Sequence, residues 1–148
     1  MTHVRKQIRD LAETAVTGLT TTGSNVYADR AYPISQDKLP ALRVFFSREA
    51  GALLQGSMGA DPTMHRRATL TIVGYADGTG LDDTLDAIAV EVEIAINGEG
   101  DFGGRTVGSA TYTSTEFSLE EGDSRTGPVA LSFEVQYRTA ESDPETAL

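Results

Sequence analysis

The feature that most constrains the fold is a strict alternation in the segment VALSFEVQY near the end of the chain. Every second residue is large and apolar: Val129, Leu131, Phe133, Val135 and Tyr137. The residues between them are small or polar. A period of two predicts an extended strand with one face buried and the other face toward solvent.

Other segments extend this pattern into a sheet. ALRVFFS and RRATLTIVGYAD alternate in the same way, and SATYTSTEFSL is rich in threonine, which favours extended structure. Shorter extended pieces, SNVYADR and YPI, precede them, and Pro33 and Pro40 confine such strands to sheet edges or strand starts. The sequence therefore predicts several adjacent strands without crossover helices between most of them, which is typical of antiparallel pairing.

Two segments have helical spacing instead. In the first, apolar residues recur every three or four positions: Val4, Ile8, Leu11, Ala12 and Ala15. In the second the same spacing is kept by Leu81, Leu85, Ile88, Val92 and Ile96. Each pattern predicts an amphipathic helix with one apolar stripe. We therefore predict an α+β domain of order α-β-β-β-α-β-β, a mostly antiparallel sheet with two amphipathic helices packed on one face.

Two segments fit neither pattern. Residues 48–63 contain several glycines and Pro62 together with Leu53, Leu54 and Met58, so we predict a long loop arm, either docking on a partner or simply mobile. Residues 140–148 are polar and are expected to form a flexible C-terminal tail. The domain itself is predicted to span residues 1–139.

Composition excludes several classes of function. The 148-residue chain has no cysteine, which excludes disulfides, thiolate metal sites and cysteine nucleophiles. Its formal net charge of −10 disfavours binding to nucleic acid, because phosphates would be repelled. The N-terminus has no signal-peptide pattern, and no apolar run approaches the roughly 20 residues needed to span a bilayer. We expect no membrane association.

Three motifs resemble ligand sites without their chemistry. GLTTTGSNVY would follow a helix rather than a strand, and Ser24 stands where a phosphate-binding lysine belongs. GDFGG resembles the magnesium-binding motif of kinases, but the chain lacks the other kinase elements. DGTGLDD resembles a calcium-binding loop, but Leu81 stands where an oxygen ligand should lie. His3, at an end expected to fray, and His65 have no triad partners. We predict no catalytic, cofactor or metal residues.

The candidate functional residues are therefore surface residues for assembly. Arg66 and Arg67 interrupt an acidic sequence at the mouth of the predicted arm. Such a pair either keeps a strand end soluble or contacts an acidic patch on a neighbouring subunit. The full set of subunit-interface candidates is Arg48, Leu53, Leu54, Met58, Arg66 and Arg67.

Nearly the whole chain resembles the tail terminator proteins of long-tailed bacteriophages. The resemblance rests on the segments MTHVRKQIRDLAETAVTGLTTTGSNVYADRAYPI, LPALRVFF, RRATLTIVGYADG and VALSFEVQYRT. These are relatives of the minor tail protein U of lambda-like phages. The resemblance implies a small α+β fold, a homo-hexameric ring on the head-proximal end of the tail tube, and no enzymatic activity. The implied partners are the tail tube protein and a head-completion or neck protein, with DNA only passing through the lumen.

The same resemblance implies a location at the head–tail junction of the virion, and in the host cytoplasm during assembly. A ring of chains this acidic would discourage DNA from adhering to the channel, although the sequence does not identify the lumen-facing acidic residues. Two alternatives from the same particle remain, a neck or head-completion connector and a tail tube subunit. A small acidic enzyme or ligand-binding module is the alternative from another class, and a deep pocket would distinguish it.

Overall fold

The computed structural model describes residues 2–28, 38–54, 59, 61–117 and 127–148. The elements within these ranges are α1 (Val4–Ala15), β1 (Val26–Tyr27), β2 (Ala41–Leu53), β3 (Thr63–Ala76), α2 (Leu81–Gly98), β4 (Thr111–Phe117), β5 (Gly127–Ala140) and β6 (Asp143–Ala147). The predicted α+β class and the order of its first seven elements are confirmed.

The strands form one sheet in the order β1-β2-β3-β5-β4, and β6 pairs with the end of β5. Only the short β1–β2 pair is parallel among these strands; the others pair antiparallel. The long strands β2, β3 and β5 lie side by side, so that Val44, Ile72 and Leu131 form one row across the sheet. The alternating face predicted for residues 129–137 is buried, with exposures of 0–3%.

Both helices cover this same face. The buried residues of α1 are Val4, Ile8 and Ala12, and those of α2 are Leu85, Ile88, Val92 and Ile96. They join the inward rows of β2, β3 and β5 in one hydrophobic cluster. The stripe positions predicted from helical spacing are therefore the ones that build the core, as burial of one apolar face per helix requires.

The predicted loop arm is shorter than residues 48–63. β2 continues to Leu53 and β3 begins at Thr63, and the two strands stay paired to these ends. A bulge between Phe46 and Arg48 explains the error, because it inserts one residue and exchanges the two faces of the strand beyond it. The alternation of apolar and polar residues before the bulge therefore does not predict which residues face the core beyond it.

The predicted flexible tail is also corrected. Asp143–Ala147 form β6, which pairs with β5 beside Thr139 and Ala140. Backbone pairing of this edge needs no apolar side chains, so the polar composition concealed it. Two predicted features lie outside the described residues: the YPI piece and Met58.

Neither helix in the described ranges is long and apolar enough to cross a membrane.

Helix α2 lies close to the sheet at Gly74 in β3. A Cβ atom there would be 2.7 Å from Ile88 Cγ2 and 3.2 Å from Val129 Cγ1. The first distance is shorter than side-chain packing permits, so the missing side chain sets how closely α2 approaches the sheet.

We predict that Gly74→Ala lowers the free energy of unfolding by about 1–3 kcal/mol, because the added methyl overpacks this contact. Gly98→Ala at the end of α2 is the matched control, since its Cβ would meet no atom within 4 Å. Urea denaturation of both variants measures the difference. Equal stability of the two variants would show that α2 does not sit this close to β3.

Candidate functional site

The far ends of β2 and β3 form an exposed distal hairpin, defined here as residues 47–53 and 63–67. Ala50, Gly51 and Ala52 are exposed, and 58% of Leu53 is accessible to solvent. The next residue, Leu54, is half-buried, and its N–H donates to the carbonyl of Thr63 at 2.8 Å. This end of the sheet thus presents small and apolar residues to solvent.

The hairpin arginines lie on two different faces. Arg48 pairs with Thr69, and Arg67 with Ala50, on the face of the sheet away from the helices. Both arginines are exposed and, with Glu134, line a shallow depression of about 220 Å³. Arg66 points to the opposite face, as consecutive strand residues must. The sequence-predicted pair of Arg66 and Arg67 is therefore split between the two sides.

Arg66 belongs to an ion network beneath the start of α1. The Glu49 carboxylate accepts from Arg5 Nη1 at 2.8 Å and from Arg66 Nη1 at 3.3 Å, and Tyr137 Oη donates to its other oxygen. Arg66 Nε also donates to Thr139 Oγ1 at 3.2 Å. The side chains of Glu49 and Arg66 are only 15% and 18% exposed, so this is a largely desolvated pair.

The protonation of Tyr137 follows from this environment. Burial, reinforced by the hydrogen bond to Glu49, raises the pKa of the Tyr137 phenol. The phenol therefore remains a donor to Glu49 at neutral pH, and every charged group of the network has a partner within it. The side chains of this network bind one another and so hold α1, β2, β3 and β5 together. The network therefore contains no free base or nucleophile.

His3 is not frayed, contrary to the expectation from sequence. It is the N-cap of α1, and its Nδ1 accepts from the backbone N–H of Arg5 at 3.0 Å. Its ring meets the Tyr137 ring edge-on, with 6.5 Å between the centroids. Burial, and then the charge of Arg5, lower the pKa of the imidazole. The neutral ring that the cap requires is therefore favoured by its surroundings.

Further exposed apolar residues lie on α2. Val90 and Ile94 are 55% and 69% exposed on the side of the helix away from the sheet. Ile94 also lines a shallow groove of about 290 Å³ beside Gly18, Leu19 and Thr20. Helical spacing predicts only the buried stripe of α2. Val90 and Ile94 lie outside that stripe, and their apolar side chains are the sequence signal that indicates a second, exposed apolar surface.

The edge strand β4 is uncovered as well. Most of its residues are exposed on both faces, and Tyr112 and Phe117 keep 47% and 56% of their surface in contact with solvent. Uncovered aromatic side chains on an edge strand are a liability for a free monomer and are typical of surfaces that a partner covers.

The predicted interface residues therefore have different surroundings. Arg48, Leu53 and Arg67 are exposed on the distal hairpin, Leu54 is half-buried beside it, and Arg66 is engaged within its own subunit. Met58 lies outside the described residues. In the described part of the chain, no three histidine, aspartate or glutamate side chains come together as metal ligands would.

No protein-family model matches the chain, and no curated protein matches it in sequence. Its fold is similar to that of a chain in the solved structure described as "Virion of native gene transfer agent (GTA) particle". The two share 20% sequence identity with a TM-score of 0.51, over 93% of this chain and 92% of that chain. The likeness at this identity establishes a shared fold that runs from end to end.

We predict that Glu49→Gln lowers the free energy of unfolding by about 2 kcal/mol, because Arg66 would be left largely buried without an opposite charge. Asp10→Asn is the control: it breaks the exposed pair between Lys6 and Asp10 in α1 and should change the free energy of unfolding by less than about 0.5 kcal/mol. Chemical denaturation of both proteins at pH 7 provides the comparison. A Glu49 variant as stable as the control would show that the network does not stabilise the fold.

We also predict a pH dependence that originates in His3. Since its folded-state pKa is below the ordinary value of 6.5, the unfolded chain binds the proton first. The stabilisation is therefore complete above pH 6.5 and is lost as the pH falls below it. His3→Asn keeps a good N-cap that does not titrate.

The measurement is the free energy of unfolding of wild type and His3→Asn in urea at several pH values between about 7.5 and 5. The wild type should lose stability relative to the variant as the pH falls, because protonated Nδ1 cannot accept from the Arg5 N–H. Parallel curves for the two proteins would contradict the proposed cap.

Proposed function

We propose that this protein is a structural component of a phage-type virion and, specifically, a tail terminator that forms a ring, expected to be hexameric, on the head-proximal end of the tail tube. The observation that carries the proposal is the end-to-end similarity of fold to a chain of the gene transfer agent particle. The resemblance of the sequence to tail terminators supports the narrower assignment.

The exposed apolar surfaces support a role in assembly. Five of the large exposed apolar residues lie on three separate elements: Leu53 on the distal hairpin, Val90 and Ile94 on α2, and Tyr112 and Phe117 on β4. Uncovered apolar residues in patches mark surfaces that partners cover. Patches on different sides of one subunit suit head-to-tail contacts, which close into rings with two unlike rims. A terminator needs unlike rims, one for the tube and one for the head-completion or neck protein.

The net charge and the engaged ion network at Glu49 support a structural role over catalysis. A net charge of −10 per subunit would repel DNA from the ring, so that DNA passes through the lumen without binding. The two depressions described above are shallow, and the partly buried ionisable groups at Glu49 are engaged with one another. In the proposed role the protein resides at the head–tail junction, after assembly in the host cytoplasm.

We predict that purified protein forms a ring by native mass spectrometry and decorates one end only of isolated tail tubes in negative-stain electron micrographs. Leu53→Asp is the disrupting variant. The exposed position should tolerate the change in the folded subunit, while the charge should prevent ring formation.

Other patterns would point to other parts of the particle. Open filaments of the protein alone would favour a tube subunit, and binding to capsid portals rather than tube ends would favour a neck connector. A ring that binds neither tubes nor capsids would contradict a head–tail role.

A further inference from the structure

The outward face of α2 carries an uncovered stripe whose character changes along the helix. Asp83, Ala87, Val90 and Ile94 recur at helical spacing, and all four are exposed; we refer to them as the outer stripe of α2. Asp82 and Asp86, also exposed, flank its first half. Within the described ranges none of these three aspartates has an ion-pair partner. The stripe is therefore acidic at the start of the helix and apolar further along.

The distal hairpin has the complementary character. Arg48 and Arg67 are exposed and, among the described residues, unpaired, whereas Leu53 nearer the tip is apolar and exposed. On this side β2 is bordered by β1, at Leu42 and Arg43, so no described strand pairs with the hairpin edge of β2. Side chains from both faces of β2 can therefore flank a partner that lies along this edge.

The spacing of charge and apolar surface agrees between the two elements. Leu53 lies about 16 Å along the strand from Arg48, at about 3.3 Å per residue. Ile94 lies about 16 Å along the helix from Asp83, at about 1.5 Å per residue. Arg48 and Leu53 lie on opposite faces of β2, since Leu53 shares the face of Glu49. A hairpin whose β2 edge lies along the helix can therefore place Arg48 near the aspartates from one face while Leu53 contacts Val90 and Ile94 from the other.

The overall charge makes this pairing selective. Two copies with a net charge of −10 repel each other over most of their surfaces. An approach that brings exposed arginines to the aspartates of the next copy is favoured over other approaches, and such pairs mainly fix orientation. The apolar contact of Leu53 with Val90 and Ile94 supplies affinity by removing these side chains from water.

We propose that the distal hairpin of one copy docks on the outer stripe of α2 of the next copy. The contact joins two different surfaces, so repetition around an axis closes a ring in which each subunit gives one hairpin and receives another. This inference rests on the proposed function, since it identifies the subunit contact of the ring.

Charge reversal in the full-length protein tests the pairing. The hairpin variant combines Arg48→Glu with Arg67→Glu, and the helix variant combines Asp83→Lys with Asp86→Lys. A control variant, Asp10→Lys with Glu13→Lys on α1, matches the helix variant in net charge. Thermal unfolding confirms that each variant folds, and sedimentation velocity with native mass spectrometry at about 50 mM salt measures assembly.

We expect the hairpin variant and the helix variant each to assemble at least about tenfold more weakly than wild type, because like charges then face each other. The control variant should assemble as wild type does. An equal mixture of the hairpin and helix variants should recover the ring, since glutamates then face lysines at one contact and arginines face aspartates at the next. The recovered ring should contain equal numbers of the two variants.

Several outcomes would overturn the inference. If either variant assembles like wild type, or if the mixture does not recover, the hairpin does not pair with α2. A helix variant that forms normal rings but no longer binds tube ends would assign the outer stripe to the tube protein and leave the proposed function intact. Wild-type protein that neither assembles nor binds tubes would instead remove the proposed function together with this inference.

Discussion

The carboxylate of Glu49 is the interaction on which the relation of helix, hairpin and sheet depends. It lies on the helix-covered face only because the bulge in β2 exchanges the faces of the strand beyond it. There it binds Arg5 from α1 and Arg66 from β3, and it accepts from Tyr137 of β5. One side chain thus connects four elements at the point where apolar packing ends and the exposed hairpin begins.

Short-range patterns predicted the core because each apolar stripe has the period of its own element. Ile8 and Ile88 are buried where helical spacing places them, and Leu131 where strand alternation does. The limits of the long strands were not predictable in this way. The bulge changes the period within β2, and β6 is held by backbone pairing that leaves no apolar signature. Both features depend on a neighbouring strand that the local sequence does not contain.

The candidate surface was predictable only in part for a related reason. Arg48, Leu53 and Arg67 could be named as candidate surface residues because their segment has no strand or helix periodicity. The ion pair between Arg66 and Glu49 could not be predicted, because it depends on strand register. Helical spacing identifies the buried stripe of α2 and makes no prediction for Ile94, which lies outside that stripe. Apolar residues beyond the stripe needed for the core were the available sign of a second, uncovered face.

The ion network also bears on how a subunit could enter a ring. Leu53 lies about 13 Å along β2 from Glu49, so the network sits at the base of the distal hairpin. Glu49 is held by side chains of α1, β3 and β5. The β3 half of the hairpin is also paired with β5 from Thr63 to Arg67, so the hairpin is an ordered part of the sheet. A surface that is already ordered within a sheet loses less conformational freedom on docking than a flexible arm does. The bulge that displaced the strand pattern therefore places the anchoring carboxylate and, through it, orients the proposed contact between subunits.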